Sequence, residues 1–249
     1  MTSLLGPERR SKLLATLKAD GIVRTEAVAD LLGVSVMTVR RDLADLEAEG
    51  VVRRVRGGAV SAPTPRSFGE RSATRASVKE KIARKAVELV PRSGVIALDA
   101  STTTGLLAGQ LGTQRELILA TNSIDNAMAA HKVPGVRAHL VGGEVDALTG
   151  SLVGPLAAQS ANRLVYDVFF TSAAAVDPSG TSEATLEEGH IKTVFSAASR
   201  RTVLLVDSSK LDSRASAHAI DWDAIDTMIT ELAPDDSRLT QYKKLANIF

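Results

Sequence analysis

The chain's 249 residues suffice for one large or two unequal domains, and its 30 Lys and Arg against 29 Asp and Glu leave a net charge of +1. It has no cysteine, which excludes disulfides, zinc fingers and thiol catalysis. No apolar run reaches membrane-spanning length and the N-terminus lacks the basic-then-apolar order of a signal peptide, so a soluble cytoplasmic protein with no membrane partner is expected. The near-neutral balance conceals a strong polarity along the chain. Residues 1–50 carry 7 basic and 8 acidic groups, residues 51–85 carry 10 and 2, and residues 86–249 carry 13 and 19. Positive charge is thus concentrated in one short stretch, as expected where a chain approaches phosphates.

Glu8 to Ala19 reads as a first helix with Leu13, Leu14 and Leu17 inward, ended by Asp20-Gly21. Ile22-Val23 reads as a short strand, and Thr25 is expected to cap the next helix, with Glu26 near its dipole. In that helix Val28, Leu31 and Leu32 recur at helical spacing and Gly33 stops it. Ser35 is a natural N-cap for a further helix, in which Val36, Val39, Leu43 and Leu46 form one buried stripe. Met37, Thr38, Arg40 and Arg41 then face outward on its first two turns, where a recognition helix presents base-reading and phosphate-binding groups. After Gly50, two β-prone runs broken by Gly57-Gly58 read as a hairpin, whose Arg53, Arg54 and Arg56 are placed to lie on the sugar-phosphate backbone. An amphipathic helix pair with a glycine turn is common in proteins that never touch DNA. Recognition helix and basic wing at this spacing are much more specific, and they predict a winged helix-turn-helix that binds double-stranded operator DNA.

Arg9, Leu13 and Leu17 at four-residue steps, then Ser35, then Thr38-Val39-Arg40-Arg41-Asp42-Leu43 give a pattern that resembles the N-terminal signature of the DeoR-type bacterial transcriptional regulators. The resemblance extends over nearly the whole chain. The expected division is a DNA-binding domain over residues 1–60, a linker over 61–76 with two prolines and little periodicity, and an α/β effector-sensing and oligomerisation domain over 77–249.

In the last of these, Val78 to Val90 is helical by spacing, and short apolar runs then alternate with amphipathic helices. Strands are predicted at Val95 to Leu98, Leu117 to Ala120, Val136 to Val141, Val168 to Thr171, Thr202 to Val206 and Thr227 to Thr230. Helices are predicted near Thr103 to Leu111, Ile124 to His131, Val153 to Leu164, Thr185 to Ser199 and Leu239 to Asn247. This alternation gives an α/β fold with a mostly parallel sheet covered on both faces, whose ligands bind at the carboxyl ends of strands.

Those ends are polar. The first strand runs into Asp99-Ala100-Ser101-Thr102-Thr103, a hydroxyl-rich loop before a helix N-terminus, where free N–H groups, the helix dipole and hydroxyl donors suit an anion. No P-loop lysine accompanies it, which argues against nucleotide hydrolysis. The next strands end at Thr121-Asn122-Ser123 and at Gly142-Gly143-Glu144, and the fifth runs into Asp207-Ser208-Ser209-Lys210, with a cation to oppose a phosphate. Each piece alone is an ordinary cap or turn; four in one sheet are a better case than any of them. The family resemblance implies an effector domain similar to ribose-phosphate isomerases that senses phosphorylated sugars, with polar motifs matched at Asp99, Ser101, Thr102, Thr103, Thr121, Asn122, Ser123, Gly142, Gly143, Asp207, Ser209 and Lys210. It also implies homodimers or homotetramers assembled through this domain. Ser172-Ala173-Ala174-Ala175 departs from the family's glycines after the fourth strand, and the added methyl groups are expected to narrow the pocket.

The four histidines are scattered and suggest no metal site, and no cofactor is called for. His190 reads as helix surface and Trp222 as a packing anchor. The reading is a repressor of a sugar-metabolism operon. Its alternative is a sugar-phosphate isomerase fused to a DNA-binding module, for which Asp99, Glu144 and Asp207 are the acid or base candidates.

Overall fold

The computed structural model describes residues 6–20, 22–48, 51–55, 57–61, 68–112, 116–147 and 149–249. The chain separates into two compact units, Met1–Thr64 and Pro65–Phe249.

The first unit runs α1 (Gly6–Asp20), β1 (Ile22–Arg24), α2 (Thr25–Leu32), α3 (Val36–Ala48), β2 (Val52–Val55) and β3 (Gly58–Ser61). Its strands form an antiparallel sheet in the order β1-β3-β2. Leu13 and Leu17 on α1, Val28 and Leu32 on α2, and Val39, Leu43 and Leu46 on α3 close the core. Leu31 is 73% exposed and takes no part in it. The cap expected at Thr25 is not formed: the helix starts at Thr25 itself, with Arg24 at the cap position. The reason lies in the sheet, since the Thr25 amide donates to the Gly57 carbonyl at 2.9 Å and the chain passes straight from strand to helix. Gly33 ends α2 in the left-handed conformation, φ 64°, where an L side chain costs roughly 1–2 kcal/mol. Its neighbour Val34 donates to Ala29 O at 3.0 Å and closes the turn. Arg9 reaches across from α1 to both oxygens of Asp42 on α3.

The second unit runs α4 (Phe68–Ala73), α5 (Ala76–Val87), β4 (Ser93–Leu98), α6 (Thr102–Gly109), β5 (Glu116–Thr121), α7 (Ile124–His131), β6 (Val136–Leu140), β7 (Glu144–Val145), β8 (Leu152–Val153), α8 (Gly154–Ala161), β9 (Val168–Thr171), β10 (Ala175–Asp177), β11 (Gly180–Glu183), α9 (Leu186–Ala197), β12 (Thr202–Leu205), β13 (Ala217–His218), β14 (Thr227–Ile229) and β15 (Asn247–Ile248). Seven strands make one sheet in the order β15-β14-β12-β9-β4-β5-β6, every pair parallel. Its strands alternate faces with period two. Ala97, Phe169 and Leu204 join one core with Ala157 and Ala161 of α8 and Ile191 and Phe195 of α9. Ile96, Leu98, Phe170 and Leu205 join the other with Ile82 of α5, Leu107 of α6 and Ala130 of α7. The chain winds outward one way through β5 and β6, returns to β9, and winds the other way through β12, β14 and β15. The reversal falls between β4 and β9, and in open α/β sheets ligands bind at the carboxyl ends of the strands beside such a switch.

Two expectations are corrected, and one small sheet is new. The segment assigned to the linker contains the helix α4, and α5 already begins at Ala76; these helices are fixed by contacts with the sheet domain that periodicity does not record. The C-terminal helix is absent. Leu239 and Tyr242, both fully buried, are spaced by three and lie on two 3-10 turns, after which Asn247 and Ile248 pair with Thr227 and Met228 as an added strand. A small antiparallel sheet, β10-β11-β13, was not foreseen. Trp222 is buried, lies 5.5 Å from the Tyr242 ring and donates to Asp177 O at 2.9 Å, a packing role. Among the described residues no helix is long and apolar enough to cross a membrane.

Candidate functional site

In the first unit, the Ser35 hydroxyl accepts from the Thr38 amide at 3.1 Å and pairs with the Thr38 hydroxyl at 2.8 Å, which caps α3 and fixes its starting direction. Because Val39, Leu43 and Leu46 turn inward, Met37, Arg40 and Arg41 are left exposed on the opposite face, and the first-turn amides of α3 lack helical acceptors. Arg54 on β2 is half-exposed and pairs with Glu47 at 3.0 Å, while its amide donates to the same carboxylate at 2.8 Å. This ties the wing to the end of α3. Arg56 and the side chain of Arg53 lie outside the described residues.

In the second unit, the site grows from Asp99, which follows β4 and is 1% exposed. One carboxylate oxygen accepts from the Ser101 amide at 3.0 Å and lies 2.8 Å from the Thr104 hydroxyl; the other accepts from the Thr171 hydroxyl and the Ser172 amide, each at 2.8 Å, and from Lys192 Nζ at 3.0 Å. One side chain therefore joins β4, α6 and β9 across the switch. Burial opposes its charge, but Lys192 and the donors from Ser172 and Ser101 outweigh that and hold its carboxyl at about 2.

Ser101 caps α6 by accepting from the Thr104 amide. Thr102 and Thr103 form the first turn of that helix and are buried, and the Thr102 hydroxyl accepts from Lys79 Nζ at 2.9 Å. Lys79 also donates to the carbonyl of Arg71. Burial, with the neighbouring charge of Lys210, pulls the Lys79 ammonium down to about 8. Lys210 reaches the Ser172 hydroxyl at 3.1 Å and the Ala173 carbonyl. Asp207 accepts from the Ser209 amide at 3.0 Å and pairs with Arg75 at 3.0 Å; burial opposes its charge, yet Lys210, Ser209 and Arg75 keep its carboxyl below the usual range.

Of the other expected residues, Thr121, Asn122 and Ser123 are buried at the end of β5, where Ser123 caps α7 and Asn122 holds Leu152 through paired contacts of 3.1 and 2.7 Å. The Asn122 side-chain oxygen is buried with no partner among the described residues. Gly142 and Gly143 follow β6. Gly143 has φ 149°, and a Cβ there would stand 2.6 Å from the Val153 carbonyl and 2.8 Å from the Ala157 side chain, so it permits a close approach to β8 and α8. Glu144 is exposed on β7. His190 is exposed on α9, and among the described residues no cluster of His, Asp or Glu is placed to hold a metal. The Ser172-Ala173-Ala174-Ala175 segment supplies backbone and hydroxyl partners to Asp99, Lys192 and Lys210.

Lys79, Arg75, Asn126, Glu183 and Lys192 were not anticipated. Lys79 precedes buried Ile82 and Ala83 by three and four residues, so it stands on the inward face of α5; Lys192 is likewise one turn from Glu188 and Phe195. Lys192 lies 2.5 Å from Glu183 and donates to Ser172 O at 2.9 Å. Burial pushes the Glu183 carboxyl up, and Glu188 beside it adds to the effect. A cleft of about 340 Å³ lies elsewhere, at the amino ends of β12 and β14 beside Ser199, Thr202 and Asp226, away from these groups. Of the three acid or base candidates, Asp99 and Asp207 are held below the usual range, where a general base at neutral pH needs a raised proton affinity, and Glu144 is exposed on β7.

Residues 9–64 match the model of the DeoR-like helix-turn-helix domain and residues 74–232 match that of the DeoR C terminal sensor domain. The HTH-type transcriptional regulator GlpR of Haloferax volcanii is 32% identical, the match covering 93% of each chain. The glycerol-3-phosphate regulon repressor of Escherichia coli K12 is 28% identical over 91% of each chain. The lactose phosphotransferase system repressor of Streptococcus mutans is 28% identical over 96% of this chain and 98% of that one. Among solved structures, ribose 5-phosphate isomerase A from Methanocaldococcus jannaschii is similar over 55% of each chain at 21% identity and a TM-score of 0.37.

Proposed function

The chain belongs to the DeoR family of DNA-binding transcriptional regulators, and on that premise we propose that it represses a sugar-metabolism operon under the control of a phosphorylated sugar or related metabolite. The observation that carries the effector half of this reading is Lys79. Its ammonium is buried at the N-terminus of α6, bonded to a hydroxyl and a carbonyl and to no carboxylate among the described residues, with Lys210 near enough to depress it and Asp207 only partly offsetting that. A buried ammonium bonded at a helix N-terminus, with the partly buried ammonium of Lys210 near it, suits a phosphate dianion. In this reading Ser101, Thr102 and Thr103 with Lys79 and Lys210 receive the phosphate, while Asn122, with its open acceptor, and Ser209 face the hydroxyls of the sugar. Asp99 and Asp207 hold the donors in place.

On the DNA side, Arg40 and Arg41 with Met37 and Thr38 enter the groove, and Arg53, Arg54 and Arg56 neutralise phosphates. One winged helix has a small footprint, on the order of 600–1,000 Å², so homodimers or homotetramers on paired half-sites are part of the proposal, with the protein working in the cytoplasm. The test is a thermal-shift screen of the full chain with glycerol 3-phosphate, glucose 6-phosphate and ribose 5-phosphate against their unphosphorylated counterparts. Stabilisation confined to phosphorylated compounds, and lost in Lys210→Ala, is expected; equal stabilisation by both sets would overturn the phosphate site.

A further inference from the structure

Residues 68–79 run along the carboxyl edge of the sheet and touch three of its loops. At one end the Phe68 ring lies 3.5 Å from where a Cβ on Gly105 would stand. Arg71 donates to the Thr149 carbonyl at 3.1 Å and receives Lys79 on its own carbonyl. At the bend between α4 and α5, Arg75 meets Asp207 and Glu231, each at 3.0 Å, and Ser208 at 3.3 Å. Its φ is 53°, a left-handed conformation that a non-glycine residue keeps only when its surroundings fix it. No residue of α4 is buried, so polar contacts and one ring hold this helix where a core does not. The Arg71 Nε is buried without a partner among the described residues. In sequence, Phe68 opens α4 four residues after Thr64, the last residue of the DNA-binding unit.

We propose that residues 68–79 form a strap latched by Arg75 to Asp207 and Glu231, and that an anion bound between Lys79 and Lys210 tightens the strap against the carboxyl edge of the sheet. The inference rests on reading the carboxyl edge as an anion site. Lys210, Arg71 and Arg75 oppose the charge of Lys79 there, which Asp207 offsets only in part; a dianion beside Lys79 relieves that opposition and draws Lys79, with the Arg71 carbonyl it holds, toward α6. Arg75 is the positioning residue, since it fixes the bend from which both helices diverge.

Hydrogen exchange of the full chain, with and without inorganic phosphate, tests this. Arg75→Ala keeps the backbone cost of the left-handed conformation and removes only the side chain. Amides of 68–78 are expected to exchange faster by on the order of tenfold, the factor that two partly exposed ion pairs supply together, with 80–109 unchanged. In the unaltered protein phosphate should slow exchange in both 101–105 and 68–78; in the variant it should slow 101–105 alone. Should exchange rise throughout the variant, Arg75→Lys decides: it keeps the charge, cannot span two carboxylates, and should loosen only 68–78. Unchanged exchange of 68–78 in these variants overturns the latch, with no ligand needed. Phosphate protection confined to 101–105 in the unaltered protein overturns the coupling alone, and protection of neither segment overturns the coupling together with the anion site.

Discussion

In the DNA-binding unit the groups proposed to act stand outside an apolar core, whereas in the sensor unit most of them are packed inside one. Arg40, Arg41 and Met37 point away from Val39, Leu43 and Leu46. Asp99, Thr104, Asn126 and Lys192 are buried and bonded to one another, and buried Thr102 is bonded to Lys79. A group that must meet a large partner is left free, while a group that must enclose a small one is placed in advance, since polar groups withdrawn from water need partners at all times. Function and stability are therefore separable in the first unit and entangled in the second.

The sharpest break of that contrast is Asp99→Ala. Removing the carboxylate leaves Lys192 and the Ser172 amide buried without it, and the sensor unit should lose about 3–5 kcal/mol, read as a shift of its transition in urea; a loss below ~1 kcal/mol would mean that water replaces the carboxylate freely. Lys79→Met should instead leave the sensor unit folded and weaken phosphate binding by about 1.5–3 kcal/mol, the size of a charge-assisted contact, measured by calorimetry. In the other unit, Arg40→Ala should lower operator affinity by about 1–3 kcal/mol with the melting temperature unchanged; unaltered binding in a gel-shift titration would remove Arg40 from the interface.

A pH titration sharpens the entanglement. Lys79 must be charged to hold an anion, and burial and Lys210 bring its free-state value to about 8. As pH rises through that value the free protein loses the proton that binding must restore, so phosphate affinity should fall, by at most about tenfold per pH unit, and the slope should vanish in Lys79→Met. The smallest effect is expected at Leu31, whose exposure predicts that Leu31→Ser changes stability by no more than about 0.5 kcal/mol, by contrast with its buried neighbour Leu32.

The same contrast explains what was legible in the sequence. Outward-facing groups follow from periodicity once the core stripe is known, so Ser35, Met37, Thr38, Arg40 and Arg41 were placed by spacing alone. The sheet was legible because its strands are continuous apolar runs, and Asp99, Thr121 and Asp207 because they follow such runs. Lys79 and Lys192 were not, since a lysine on a helix reads as solvated unless its phase against the buried residues is checked and a counter-group is known, and those counter-groups come from distant segments. The C-terminal strand escaped for a related reason: Leu239 and Tyr242 fit a helical spacing, and only the open edge of β14 turns Asn247 and Ile248 into a strand.

The reversal between β4 and β9 also bears on how the molecule comes into being. Asp99 and Thr171 are separated by 72 residues, so the carboxylate has no complete set of donors until most of the sensor unit has been synthesised and β9 has closed against β4. The winged helix, whose contacts are local, can form while the ribosome is still making the sheet. On the proposed reading the DNA-facing helix is formed before the sensing site, and a metabolite that binds only the closed switch would act on finished molecules alone.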